Sequence, residues 1–307
     1  MRLRKLALLS LLLAGTAVLS AGEGLAKTRY PQHVPAVSLN NGMSMPQLGF
    51  GTFTLKQKVA VDSVKEALRQ GYRLIDCAQG YGNEAEVGQA IQESGIPRSE
   101  IFVTTKINTN VMREGAVRQS LDESIAKLGG TYIDLVLIHW PVKGKVEETW
   151  KIMEEYVRAG KIKAIGLSNF NPHHIDELLQ YATIKPVVNQ IEMQPYMTQY
   201  DVAAYTVKRG IRPEAWGPLG QGKLGLLSES VIMALAEKHG KSPAQIILRW
   251  HLQRKNIVIP RSVNPAHIAE NINVFDFKLS GKDMKAIDAL NRNQRANPKN
   301  DPDNFPW

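Results

Sequence analysis

The sequence carries a single cysteine, Cys77, so no disulfide can form within the chain and a buried core must hold the fold. It has no zinc spacing: His173 and His174 are adjacent, and at a helix start neighbouring side chains are expected to point in different directions. No basic run with interleaved aromatics is present, which argues against nucleic acid as a partner. The formal charge of +9 is spread along the chain, a mild balance that suits anionic ligands, phosphates included. Linkers, low-complexity stretches and a second domain are lacking too. So is the third glycine of a dinucleotide-binding loop: Gly49-Phe50-Gly51 stops short, and no helix follows at once, which speaks against a doubly wound sheet.

Long apolar runs are confined to the N-terminus. Arg2, Arg4 and Lys5 precede an apolar stretch at 6–19, then small residues with Gly24-Leu25-Ala26 as a cleavage site. This is secretory-signal chemistry, too short for a comfortable membrane span, and without the adjacent arginines of a twin-arginine signal. The expected organisation is a signal peptide at 1–26 and one domain at 27–307. The product is expected to be periplasmic or secreted, with a cytoplasmic location as the alternative, and to keep no stable membrane span after cleavage.

Past that leader, Asn41-Gly42 lies between two short alternating segments and predicts a hairpin over 37–45. Apolar strands then alternate with amphipathic helices. Strands are predicted at 47–52, 72–76, 101–106, 133–139, 162–168, 187–190, 211–216 and 257–260. Helices are predicted at 59–70, 85–94, 115–128, 146–159 and 172–180. Continuous runs such as Leu135-Val136-Leu137-Ile138 indicate parallel strands covered on both faces. Eight such units predict an α/β fold, a (β/α)8 TIM barrel preceded by a β-hairpin. The Pro-, Asp- and Asn-rich tail from Asn297 is expected to pack on the barrel surface.

In such barrels chemistry gathers at the C-terminal ends of the strands. Those ends carry Asp76 followed by Tyr81, then Lys106, then His139 before Trp140-Pro141. Singly, each has an ordinary explanation: a cap, a solvated cation, a core imidazole. Together they suit carbonyl reduction, because hydride arriving at carbon leaves negative charge on oxygen that a proton donor must neutralise. A tyrosine is a weak acid, and a buried lysine beside it is expected to lower its pKa. Cys77, within a strand end, is expected to be a small core residue.

These segments resemble the aldo-keto reductases. Gly71-Tyr-Arg-Leu-Ile-Asp76-Cys-Ala-Gln-Gly-Tyr81-Gly-Asn-Glu84 is similar to that family's signature, and Thr104-Thr-Lys106 and Leu137-Ile-His139-Trp-Pro141 are similar to the segments carrying its lysine and histidine. The resemblance runs from about Val37 onward. It implies Tyr81 as general acid, tuned by Lys106 and Asp76, with His139 binding the carbonyl oxygen. It implies NADPH as cofactor, with NADH also usable. Ser168, Asn169 and Gln190 match the residues that hold the nicotinamide carboxamide, and Trp216 the ring that stacks on it. Leu219 and Gln221 lie in a segment similar to the loop over the pyrophosphate. Arg261 and Ser262 match the grip on the adenosine 2′-phosphate, with His267 where an arginine is usual, and Glu270 and Asn271 match the adenine pair. An imidazole is mostly neutral at pH 7, so His267 weakens the preference for NADPH without abolishing it.

His139, Trp140 and Phe53 are expected to line the substrate pocket. The connection from Pro141 to the next helix is short, and Phe53 stands where tryptophan is frequent, so an open pocket is expected. Glu214-Ala-Trp216-Gly-Pro-Leu-Gly-Gln221-Gly-Lys223 is especially similar to the bacterial 2,5-diketo-D-gluconate reductase branch, which implies small aldehydes, ketones, keto acids or keto sugars as substrates. No metal site is expected, and a monomer is. Two other functions stand beside this one: a regulatory or sensor protein that binds cofactor without turnover, and an isomerase or aldolase on the same barrel. The latter leaves Trp216 and the Arg261 segment unexplained.

Overall fold

The structure is a computed structural model that describes residues 34–305. The signal-like segment therefore lies outside the described residues. The predicted hairpin is present: β1 (Ala36–Ser38) pairs antiparallel with β2 (Ser44–Pro46). Gly42 makes the turn at φ +84°, a conformation that glycine adopts without strain. Asn40 Nδ2 donates to the carbonyls of Pro186 and Gly210, and Arg212 Nε donates to Ser38 O. Those partners precede or open barrel strands, so the hairpin seals the N-terminal end.

Eight parallel strands follow: β3 (Phe50–Gly51), β4 (Leu74–Asp76), β5 (Phe102–Ile107), β6 (Ile133–Ile138), β7 (Ile162–Ser168), β8 (Val188–Glu192), β9 (Arg212–Trp216) and β10 (Ile257–Val258). They pair in chain order, and a parallel bridge between Leu48 and Val258 closes the ring. At that seam Gly49 N–H donates to Val258 O and Gly51 N–H to Pro260 O. A Cβ on Gly51 would stand 2.9 Å from Ile259 O, and one on Gly49 2.4 Å from the Leu74 side chain. Gly51, which fails as part of a phosphate loop, is thus what lets the first strand approach the last, while Gly49 makes room for Leu74. The fold is a (β/α)8 barrel.

Leu74, Phe102, Leu135, Leu137, Ala164, Val188 and Ile257 fill the inside with Leu39 and Met45 of the hairpin, while a larger apolar layer lies between strands and helices. The helix predicted at 115–128 is present as Val117–Lys127, and a short helix that was not predicted, Thr109–Glu114, precedes it and ends where Gly115 takes φ +71°. Strand β3 is shorter than predicted because the residues before it join the seam through scattered bonds rather than a regular ladder.

Candidate active site

Every sequence-predicted chemical group lies at the C-terminal end of the barrel. Asp76 ends β4 and Lys106 stands on β5; both are essentially inaccessible, at 1% and 0% exposure. Tyr81 belongs to a short turn, Gln79–Tyr81, and this turn is pinned from several sides. Gln79 donates to Ser124 Oγ and accepts from Asn108 N–H, while Asn83 Nδ2 donates to Thr52 O and Leu55 O. Those contacts fix the tyrosine and also the loop bearing Phe53.

Lys106 Nζ donates to Asp76 Oδ1 at 2.5 Å, to Cys77 O at 3.0 Å and to Tyr81 Oη at 3.3 Å. An ammonium has three protons, so all are assigned. Tyr81 Oη is therefore an acceptor toward the lysine, and its own proton is left to point elsewhere. Burial pulls the Lys106 pKa down, but Asp76 and Tyr81 outweigh it, and the ammonium sits well above its usual range. Burial lifts the Asp76 carboxyl, with Lys106 and Gln190 holding it back.

The tyrosine departs from expectation. Its pKa is pushed up to about 12, because burial outweighs the lowering effect of Lys106 and Asp76 cancels part of that charge. The lysine limits the rise rather than producing a net fall. His139 is half-buried, its ring edge-on to Tyr81 at 5.7 Å between centroids. Burial, then the Lys106 charge, hold it down at about 3, so it is a neutral imidazole at physiological pH. Cys77 is buried, its thiol donating to Thr104 O and lifted well above its usual pKa by burial, as a core residue should be.

The polar network continues across the barrel. Gln190 Nε2 donates to Asp76 Oδ2 at 2.8 Å and to Glu214 Oε2 at 3.0 Å, leaving Oε1 free as an acceptor. On the neighbouring strand, Asn169 Nδ2 donates to His139 O and Ser168 Oγ, and Asn169 Oδ1 accepts from Trp216 Nε1 at 2.8 Å. Asn169 holds φ +64°, a conformation asparagine tolerates better than most residues. Its amide is wholly engaged, so Ser168 Oγ–H and Gln190 Oε1 are the groups left over for a ligand. A free hydroxyl and a free carbonyl beside a half-buried indole fit a primary carboxamide on a flat ring.

Farther out, Leu219 is half-buried and Gln221 sits at φ +54° in the turn Gly220–Gly222. Arg261 and His267 are exposed, Ser262 half-exposed, around the start of helix Pro265–Ile272. Arg261 makes no ion pair with any described residue, which suits a guanidinium reserved for phosphate. Glu270 accepts from Ser242 Oγ, and Asn271 is buried.

Trp140 is buried against Phe305, their rings stacked at 3.8 Å, and Phe53 is 49% exposed with its ring 5.0 Å from Tyr81. The connection after β6 is short, helix Val146–Arg158 beginning directly after Lys145. His173 and His174 correct an expectation: they do not point apart but both place Nε2 on Asp303 Oδ1, at 3.1 and 3.4 Å. His174 Nδ1 accepts from Asn171 N–H, so its Nε2 carries the proton and donates to that carboxylate. Asn171 Nδ2 donates to Asp303 Oδ2 as well. The tail thus packs on the barrel as expected, latched at Asp303 and Phe305.

A profile of the Aldo/keto reductase family matches residues 47–292. The chain belongs to this family. It is 46% identical over 266 residues to a glyoxal reductase of Bacillus subtilis, covering 86% of this chain and 96% of the relative. It is 43% identical to a morphine 6-dehydrogenase of Pseudomonas putida, covering 86% of this chain and 94% of that one. Among solved structures, an aldo-keto reductase of Bombyx mori in complex with NADP superposes with a TM-score of 0.82 at 36% identity, covering 89% of this chain and 98% of the other. This aldo-keto reductase is an oxidoreductase, of a family that uses nicotinamide cofactors. No helix among the described residues is long and apolar enough to cross a membrane.

Sequence reasoning did not single out Glu214 or Asp303. Glu214 had a visible signal, an acidic residue in the middle of the strand ending at Trp216. Asp303 had none, since its partners are 129 and 130 residues away (303 − 174 and 303 − 173).

Proposed function

We propose that this aldo-keto reductase reduces small aldehydes, ketones, keto acids or keto sugars to alcohols with NADPH, and accepts NADH less readily. One observation carries the reading: Tyr81 Oη accepts from a lysine whose other protons are spent on Asp76 and Cys77, so the phenol proton is directed outward beside a neutral imidazole. NADPH, when bound, supplies the hydride. Tyr81 gives its proton to the carbonyl oxygen as negative charge develops there, and Lys106 stabilises the phenolate left behind. Neutral His139 donates N–H to the same oxygen and so sets its direction. Asp76 keeps Lys106 charged and in place.

For the cofactor, Ser168 and Gln190 hold the carboxamide, Asn169 positions Ser168 and Trp216, and Trp216 lies against the ring. Leu219 and Gln221 cover the pyrophosphate. Arg261, Ser262 and His267 take the 2′-phosphate, and Glu270 with Asn271 faces adenine. The exposed Phe53 and the short connection after β6 leave an open pocket, in keeping with small polar substrates; a relative named glyoxal reductase points the same way. The enzyme works as a monomer and reaches the periplasm or the exterior after cleavage near Ala26. Intact mass of the mature protein checks that location, and Met1 retained on a cytoplasmic product overturns it.

The activity is tested by following loss of reduced-nicotinamide absorbance with glyoxal, methylglyoxal and a panel of keto acids and keto sugars. Turnover with NADPH exceeding that with NADH is expected. No turnover on any of them, with cofactor still bound, returns the protein to a sensor role.

A further inference from the structure

Glu214 is a buried acid of the barrel interior to which neither the proton donor nor the phosphate site gives a task. It stands on β9 directly beside Gln190 in the sheet register and is fully buried. Oε2 accepts from Gln190 Nε2, while Oε1 has no partner. The groups facing it are Gln190, Asp76 and Lys106. Burial, reinforced by Asp76, pushes its pKa up to about 8, so it is a neutral acid at physiological pH. The contact needs only an acceptor at Oε2, which the carboxyl supplies in either protonation state.

We propose that Glu214 is a positioning residue for cofactor capture, clamping the Gln190 amide together with Asp76 so that only the Oε1 end is offered to a bound nicotinamide carboxamide. An amide flips at little cost unless both ends are told apart. Here two acceptors, Asp76 Oδ2 from across the barrel and Glu214 Oε2 from the adjacent strand, take both N–H bonds of Nε2. With one acceptor gone, Nε2 keeps a spare donor, and the flipped state would present N–H to the N–H of a carboxamide, a mismatch. This inference rests on Gln190 holding the nicotinamide, and the experiment separates the two claims.

Dissociation constants of NADPH are measured on the full chain by fluorescence quenching for Gln190→Met, Glu214→Met, Glu214→Gln and the double variant Gln190→Met/Glu214→Met. A probe carrying the adenosine 2′-phosphate but no nicotinamide is measured alongside. Gln190→Met and Glu214→Met are each expected to weaken NADPH about fivefold, the scale of one hydrogen bond. The double variant should be no weaker than Gln190→Met alone, because the clamp acts only through the amide. Glu214→Gln, which keeps an acceptor at Oε2, should recover affinity to within about twofold. The nicotinamide-free probe should bind all variants equally. Unchanged NADPH affinity in Glu214→Met with loss in Gln190→Met overturns the clamp. Additive losses in the double variant, or a parallel loss of the probe, overturn it too. No loss in Gln190→Met removes the underlying reading of Gln190 instead. Should Glu214→Met fail to accumulate, a loss beyond about fivefold in Glu214→Gln alone decides against the clamp.

Discussion

Lys106 and Arg261 are cations at the same end of one barrel, held under opposite conditions. Lys106 is sealed off, with each proton assigned to a partner on Asp76, Cys77 or Tyr81. Arg261 is exposed and pairs with nothing among the described residues. The first belongs to a floor already organised before any ligand arrives, where moving one group disturbs four. The second belongs to a rim where a charge waits for a partner and can be exchanged without disturbing the fold. On the proposed function the floor would decide whether the reaction runs, and the rim with which cofactor.

The largest effect expected is on the floor. Tyr81→Phe keeps shape and should lose at least about 10²-fold in kcat, the usual scale of general acid catalysis, with cofactor affinity unchanged. Steady-state kinetics beside a cofactor titration check this, and near-normal turnover removes Tyr81 from the chemistry. Lys106→Met should slow the enzyme similarly but is the less clean probe. Removing one partner of a buried pair costs about 3–5 kcal/mol of stability, softened where the carboxyl left behind takes up a proton, as the burial that raises the Asp76 pKa favours.

The rim should respond in affinity alone. Arg261→Gly is expected to weaken NADPH by about tenfold or more and leave NADH nearly unchanged, since a charge-assisted contact is worth about 1.5–3 kcal/mol. Equal losses for both cofactors would mean that Arg261 acts on the fold rather than on the phosphate. His267→Arg should strengthen NADPH binding by a smaller factor, roughly threefold, as an added surface cation in partial contact with solvent.

Glu214 sharpens the contrast through stability. Its pKa rises from an ordinary 4.5 to about 8 on folding, so the folded chain keeps a proton that the unfolded chain releases. The stability linked to that proton is fully present below the ordinary carboxylate range and is lost as pH rises toward 8. Glu214→Gln does not titrate. Its Tm should therefore exceed that of the parent by a few degrees at about pH 8 and by less at about pH 5. A difference that stays flat with pH would mean that the buried acid is already ionised.

Much of this was legible from residues. Parallel apolar runs announced the barrel, Asn41-Gly42 the hairpin, and the strand ends Asp76, Lys106 and His139 the site, because burial on both faces and catalysis at one end leave local marks. The short helix Thr109–Glu114 before Gly115 was not read, because six residues are too few to show a helical period. The rest depended on balance and on distance. The sign of the Tyr81 shift follows from burial competing with a half-cancelled charge, which no spacing reveals. The convergence of His173 and His174 on Asp303 joins segments far apart in the chain, and so does the Gln190 clamp between β4 and β9.

The tail that ends in Asp303 and Phe305 gives the molecule a handed usefulness. The hairpin closes one end of the barrel, and Phe305 lies on Trp140 at the other, with Trp140 in turn beside His139. Phe305 thus belongs to the doorway, whereas the hairpin belongs to the foundation. Phe305→Ala should therefore change KM for bulky substrates while Asn40→Ala in the hairpin leaves it alone, and steady-state kinetics on a series of ketones checks this. The same asymmetry makes the last few residues the place to recut the doorway for larger ketones without touching a strand.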